Sequence, residues 1–257
     1  LKNDIFDVIQ ADLEEFETAL AEAVASETAL ITDIGEHLIS SGGKRLRPAL
    51  FLLVARGGTA FDRARAMPVA IALELIHTAS LVHDDVIDEA DTRRGAATTN
   101  AKWGNQIAIL SGDFLFARAF KLVAEAGYDS SVYVKLAQLV CTLSEGEILQ
   151  DHTAYQVPAS EDAYYERIRK KTADFLEICC ELGGAIGGMR IDAEQFFAEA
   201  LDAAGAGHTE DGAAGELVLS TIAAEAMPVL RYRTGRAVRF VRRAASGSTS
   251  ELYITEG

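Results

Sequence analysis

The chain has 257 residues, 49% of them hydrophobic and 25% charged, enough to bury a large core and close to the upper size of a single domain. Its 39 acidic and 24 basic side chains leave a net charge of −15, which argues against a nucleic-acid partner, because phosphate-backbone binding needs concentrated positive charge. No uninterrupted apolar run approaches the roughly 18 residues of a membrane span, and three cysteines, two of them adjacent at Cys179 and Cys180, make neither a disulfide framework nor metal-ligand spacing.

The amino terminus, LKNDIFDVIQADLEEF, is polar and amphipathic without a signal peptide's apolar block, which predicts a cytoplasmic protein with no transmembrane segment. Apolar residues recur at spacings of three and four over residues 5–20, the period of a helix. SGGKRLRPAL follows. There Gly42 and Gly43 let backbone approach a ligand, Lys44, Arg45 and Arg47 supply cations, and Pro48 suits a first helical turn. After the break ARGGTAFD, Pro68 is likewise expected in the first turn of a helix, PVAIALELIHTASLVHDDVI, that ends on aspartates.

Asp84 and Asp88 stand one helical turn apart, where like charges repel by a few tenths of a kcal/mol. They also lie near the helix's carboxyl end, where the dipole is already negative. A divalent cation reverses both terms, and Mg²⁺ commonly takes one or two carboxylates and fills its other positions with water and phosphate oxygens. A solvated acidic helix end is the plain alternative for such a triplet on its own. Arg93 and Arg94, in the break RRGAATTNAKWGN, are close enough to fold back toward the same mouth, and guanidinium forks match phosphate geometry. The combination describes a site for a polyanion plus a metal.

Helical periodicity resumes in QIAILSGDFLFARAFKLVAEA, SVYVKLAQLVCTLSEGEIL and AYYERIRKKTADFLEICCELGGAIGG, with AEAGYDSS and AYQVPASED as breaks. To about Gly188 the chain reads as an all-α bundle, with the helices that are apolar nearly all round at its centre.

GGKRLRP, ELIHTASLVHDDVID, DTRRG, AILSGDFLFARAF, EGEILQ and YERIRKKTADFLEICCELGG occur in the order and at the spacing of the trans-isoprenyl diphosphate synthase family, which residues 1–190 resemble. The resemblance implies an isoprenoid synthase helical bundle over residues 1–205, usually a homodimer. It would use Mg²⁺ to condense isopentenyl diphosphate with an allylic diphosphate into a polyprenyl diphosphate. By the same resemblance Lys44, Arg47, His77 and Arg94 hold isopentenyl diphosphate, and Asp84 and Asp88 ligate Mg²⁺ with Asp85 in support. Arg93, Lys171 and Thr172 hold the allylic diphosphate, and Gln150 faces the same cavity. His77 could be a plain core histidine, but it stands two turns before Asp84 on the same helix face. The implied chemistry is ionisation, condensation and elimination, with Asp84, Asp88, Arg93 and Lys171 carrying the charge stabilisation. Ala79 and Ser80 are small where the family's short-chain members resemble one another in bulky aromatics, which points to a longer product.

Beyond Gly188 the sequence departs from the family's pattern. A second aspartate-rich motif is expected after Lys171 and Thr172, and EQFFAEALDAAGAGHTEDGAAG offers only Glu199 and Asp202 on one possible helix face. Residues 206–257 weakly resemble a β-rich piece of an adenylate-forming, phenylacetate-CoA-ligase-like enzyme through GELVLS and MPVLRYRTG. Arg236 stands there in place of that family's acidic residue for the ATP ribose. No activity is assigned to this tail. Two further readings stand beside the prenyltransferase: an inactive relative that binds diphosphates or supports a partner subunit, and a ligase fragment on a helical carrier.

Overall fold

The computed structural model describes residues 5–152, 161–188, 196–201, 207–208, 214–221, 232–244 and 250–256. The chain divides into two compact units, Leu1–Met189 and Arg190–Gly257.

In the first unit a 3₁₀ turn, Ile5–Ile9, leads into α1 (Gln10–Val24), followed by α2 (Ala29–Ser40), α3 (Leu46–Arg56) and α4 (Arg63–Ile87). A two-stranded hairpin, β1 (Thr92–Arg93) and β2 (Ala96–Ala97), precedes α5 (Thr99–Trp103), α6 (Asn105–Glu125) and α7 (Ser130–His152). After α8 (Glu161–Ile168) the backbone makes a π-helical turn, Arg169–Ala173, and continues as α9 (Asp174–Gly187). The all-α expectation holds for this unit, apart from the hairpin inside a stretch read only as a break.

Helix α4 is the centre of the bundle. By length and composition alone it could cross a membrane, but 67% of its most apolar window is buried inside the protein, as a core helix requires. Met67, Val69, Ile71, Leu73, Leu75, Ile76 and Ala79 belong to one core that also takes Phe16, Phe51, Leu136 and Phe175. Pro68 is not in the first turn. Asp62 caps the helix by accepting from the Ala64 N–H at 3.0 Å, and the helix-favouring run Arg63–Met67 adds a turn before the proline.

Helices α3 and α9 touch backbone to backbone. A Cβ on Gly183 would lie 2.6 Å from the Phe51 carbonyl oxygen, and one on Gly187 would lie 2.1 Å from that of Ala55. Only glycine permits such an approach. The Ala60 N–H donates to the Gly187 carbonyl at 2.8 Å and closes the seam's end.

The described residues of the second unit form a five-stranded antiparallel sheet in the order β4-β3-β5-β6-β7. Its strands are β3 (Phe196–Leu201), β4 (Gly207–His208), β5 (Ala214–Thr221), β6 (Tyr232–Ala244) and β7 (Ser250–Glu256). The helix-face reading of Glu199 and Asp202 is therefore corrected. Glu199 lies in a strand opposite Val218, where neighbouring side chains alternate between faces, and Asp202 lies outside the described residues. Pairing with β5 along the whole of Phe196–Leu201 outweighs the short helical period of this segment.

Candidate active site

The carboxyl end of α4 organises the site. It closes with a Schellman arrangement in which the Ala90 N–H donates to Asp85 O at 2.9 Å and the Glu89 N–H to Val86 O at 3.4 Å. Glu89 takes the left-handed position usually given to glycine, with φ 51°. The other non-glycine residues with positive φ among the described ones are Arg45 (47°) and Arg94 (54°), and both border the same cleft. Each costs of order 1–3 kcal/mol and persists only where surrounding contacts hold it.

Arg94 and Gly95 are the two turn residues of the hairpin, both at positive φ, so the connection is of the I′ type that matches strand twist. This aims successive arginines in different directions. Arg93 Nε donates to Asp85 Oδ1 at 2.8 Å, whereas Arg94 donates to the Gly42 carbonyl. The loop is pinned from below, where the Thr98 hydroxyl at 2.7 Å and Asn100 Nδ2 at 3.0 Å both donate to the Ala90 carbonyl.

Between α2, α4 and this hairpin lies a small open cleft, lined by His77, Asp85, Arg93 and Arg94 together with Arg45 and Glu74. Arg47 flanks it. Its Nη1 donates to His77 Nε2 at 3.1 Å, and its guanidinium lies 4.6 Å from the centroid of the Phe175 ring. Among the described residues no carboxylate is within ion-pair distance of Arg47, its Nε is buried with no partner, and burial lowers its pKa. A half-buried cation with no ion-pair partner among the described residues is the arrangement that an anionic ligand completes.

His77 is pushed down to about 3, first by burial and then by the charges of Arg47, Arg94, Arg93 and Arg45. It therefore stays neutral and accepts from Arg47. The unfolded imidazole gains a proton below about pH 6.5 while the folded one does not. Stability must accordingly fall as pH drops from there toward 3. His77→Gln should flatten that acid limb relative to the parent in urea melts between pH 4 and 7, and parallel curves would refute it.

Asp84 does not line the cleft, and charges on α7 and in the π-helical turn act on it. Its carboxyl is pushed up to about 6, by burial first and then by the nearby charge of Glu147, with Asp88 adding to the effect and Lys171 and Arg93 opposing it. Asp85 is also raised by burial, against the Arg93 hydrogen bond. Asp88, the C-cap, is exposed. Among the described residues no three His, Cys, Asp or Glu side chains are grouped as a metal cage. The half-buried Asp84, strained by like charges, with Asp88 one turn on, fits a cation that takes one or two carboxylates and completes its shell with water and phosphate oxygens.

The π-helical turn explains EGEILQ. A Cβ on Gly146 would lie 3.2 Å from the Lys171 backbone nitrogen, so the glycine lets the turn press on α7. On either side Glu145 takes Lys170 at 2.5 Å and Glu147 takes Lys171 at 2.8 Å. Gln150 Oε1 also accepts from Lys171 at 2.9 Å. Thr172 is exposed beside them.

The predicted residues thus fall into two groups, one around His77, Arg47 and Arg94, the other around Asp84, Gln150 and Lys171, with Arg93 acting on both. Lys44 is exposed and does not line the cleft. Neither do Ala79, wholly buried in the core, and Ser80, whose hydroxyl donates to the His77 carbonyl at 2.8 Å. Arg45 is corrected from ligand cation to structural cation, because Glu17 and Glu74 neutralise it. Sequence reasoning missed Glu74 and Glu147. A lone glutamate in an apolar helix and the glutamates bracketing Gly146 were the available signals.

The family described as Polyprenyl synthetase matches residues 28–207. Heptaprenyl diphosphate synthase component 2 of Geobacillus stearothermophilus is 44% identical over 184 residues, covering 72% of this chain and 57% of that protein. The crystal structure of a decaprenyl diphosphate synthase from Rhodobacter capsulatus superposes with a TM-score of 0.68 at 39% identity, covering 72% of this chain and 56% of that one. A polyprenyl synthase from Caulobacter crescentus CB15, complexed with calcium and isoprenyl diphosphate, gives 0.68 at 36% identity with the same coverage, 72% and 56%. The chain spans a little over half the length of the relatives it matches.

Proposed function

The chain belongs to the polyprenyl synthetase family, and we propose on that premise that its helical unit binds isopentenyl diphosphate and an allylic diphosphate and, with Mg²⁺, condenses them into a polyprenyl diphosphate. The observation that carries this is the Arg47 guanidinium, which has no ion-pair partner among the described residues and is partnered by neutral His77 at the edge of a cleft that also holds Arg93 and Arg94. Lys44, Arg47, His77 and Arg94 would hold isopentenyl diphosphate, and Arg93, Lys171, Thr172 and Gln150 the allylic diphosphate. Asp84 and Asp88 would hold the metal, with Asp85 fixing Arg93. When bound, Mg²⁺ supplies charge neutralisation for the departing diphosphate. Arg93 and Lys171 add fixed positive charge at that leaving group, so the allylic carbon–oxygen bond ionises. The double bond of isopentenyl diphosphate attacks the cation, and the proton lost goes to the released diphosphate. The apolar helix walls keep water from the cation. That the Caulobacter relative was crystallised with calcium and isoprenyl diphosphate supports a divalent cation beside a diphosphate. A homodimer and a cytoplasmic location belong to the same proposal.

A second reading, a diphosphate-binding chain that needs a partner subunit for turnover, is favoured by the description of the Geobacillus relative as component 2. The two separate in one assay on the full chain with Mg²⁺ and both diphosphates. Prenyl products from the chain alone support the first reading. Metal-dependent binding without product supports the second, and no binding at all overturns both.

Product length completes the proposal. Small Ala79 and Ser80 favour a long product whose tail passes them when bound. Ala79→Phe should then shorten the product without stopping the first condensation. Ala79 is fully packed in the ligand-free protein, and overpacking alone would cost roughly 1–3 kcal/mol. Unchanged products with a lowered melting temperature would refute the path.

A further inference from the structure

Arg45 sits between the two cations of the glycine loop, yet its own charge is spent. Its Nε and Nη2 reach Glu17 at 2.7 and 3.2 Å, Nη1 reaches Glu74 at 2.9 Å, and Nη2 also donates to the Ile39 carbonyl at 3.3 Å. One guanidinium therefore ties α1, α2 and α4 to the residue that begins α3. Glu74 is 5% exposed, a carboxylate in the middle of the helix at the centre of the core. Replacing such an ion pair with packed apolar side chains is often neutral or favourable, so fold stability alone does not account for it.

The loop rests on this group. Gly42 has φ 76° and Arg45 has φ 47°, and a Cβ on Gly43 would lie 3.0 Å from Arg94 Nη1 and 3.2 Å from Arg45 Nη1. The backbone between Ser41 and Leu46 thus lies directly over two guanidiniums, and only that of Arg45 is anchored in the core. Arg47, two residues on, has no carboxylate within ion-pair distance among the described residues.

We propose that Glu74 is a positioning residue: through Arg45 it fixes the Gly42–Gly43 loop so that Lys44, Arg47 and Arg94 converge on one diphosphate. This rests on the reading of these three as the isopentenyl diphosphate site. Without Glu74, Arg45 keeps only its exposed carboxylate partner, Glu17, and the loop loses its inner fastening.

Two variants test it in the full chain. Glu74→Gln keeps the shape and removes the charge. Arg45→Gly keeps the left-handed backbone at no steric cost and removes the guanidinium, so it reports on positioning even where Glu74→Gln folds poorly. Calorimetry with isopentenyl diphosphate, and separately with geranyl diphosphate and Mg²⁺, should show the first dissociation constant rising roughly tenfold to a hundredfold, as for other groups that orient a ligand-contacting residue. The second should be unchanged, because Arg93 and Lys171 are held by other partners. Arg45→Lys, a cation without the fork, should recover part of the loss. Unchanged isopentenyl diphosphate affinity in both variants would overturn the proposal, as would parallel loss of both ligands. A parent chain that binds neither ligand overturns the functional reading itself, and that is seen before any variant is made.

Discussion

Replacing Asp84 and Asp88 together by alanine is expected to abolish Mg²⁺-dependent binding of an allylic diphosphate while leaving the ligand-free protein as stable as the parent, or more so. The folded protein raises the Asp84 carboxyl from 3.8 to about 6, through burial and then through Glu147. A raised acid binds protons more readily folded than unfolded, so ionisation works against the fold. That destabilisation is absent below pH 3.8, grows as pH rises to about 6 and is complete above it. The variant's melting temperature should match the parent's near pH 4 and exceed it above pH 6. Calorimetry with and without Mg²⁺ reads the other half of the expectation. Persisting metal-dependent binding in the double variant would sink the metal-site assignment, whatever the melts show.

The second large effect is expected at the seam between α3 and α9. Gly187→Ala should destabilise the helical unit by about 3 kcal/mol or more, at or beyond the top of the usual overpacking range. The new methyl would sit 2.1 Å from the Ala55 carbonyl oxygen and 2.7 Å from its carbonyl carbon and Cα, all backbone atoms that cannot rotate aside. With a typical total stability of about 5–15 kcal/mol, the loss is a large fraction. Forcing the helices apart also separates Phe175 on α9 from Arg47 on α3, so diphosphate affinity should fall with stability. Gly57→Ala is the control: its new methyl would sit 3.3 Å from the Val54 carbonyl oxygen, a tight contact that a shift of a few tenths of an ångström relieves, so it should cost far less than Gly187→Ala. Urea melts that coincide for the two variants would refute the close-approach account.

The helical unit was largely legible because periodicity, caps and breaks agree: the segment ending GGAIGG stops as α9 at Gly187, with Gly188 at φ 66°. Pro68 was misplaced because a proline marks a permitted helix start, not an obligatory one, and Asp62 was the stronger signal. The π-helical turn left no trace in the hydrophobic period, since its single extra residue shifts α9 by less than the pattern resolves. In the site, residue types and their order identified a polyanion-plus-metal chemistry, but charge alone could not separate cations that are spent from those that are free. Arg45 and Arg47 look alike in sequence. Only tertiary contacts bring Glu17 and Glu74 to the first and leave the second uncompensated. In the second unit, GELVLS was read as β-rich and lies in β5, whereas FFAEAL carried no decisive period of its own.

The hairpin at Arg93 and Arg94 has a consequence for how this stretch can vary in length. Surface connections ordinarily accept insertions and deletions with little penalty. A two-residue I′ turn does not, because its handedness is fixed by a pair of positive-φ positions, here Arg94 and Gly95. One residue added or removed between Asp88 and Thr98 would slip the ladder by half its repeat and exchange the faces of its side chains. Arg93 would lose Asp85 and Arg94 would lose the glycine loop, although every charged residue remained in the sequence. Spacing is therefore as much a part of this site's chemistry as composition, and point substitutions here should be better tolerated than single-residue indels.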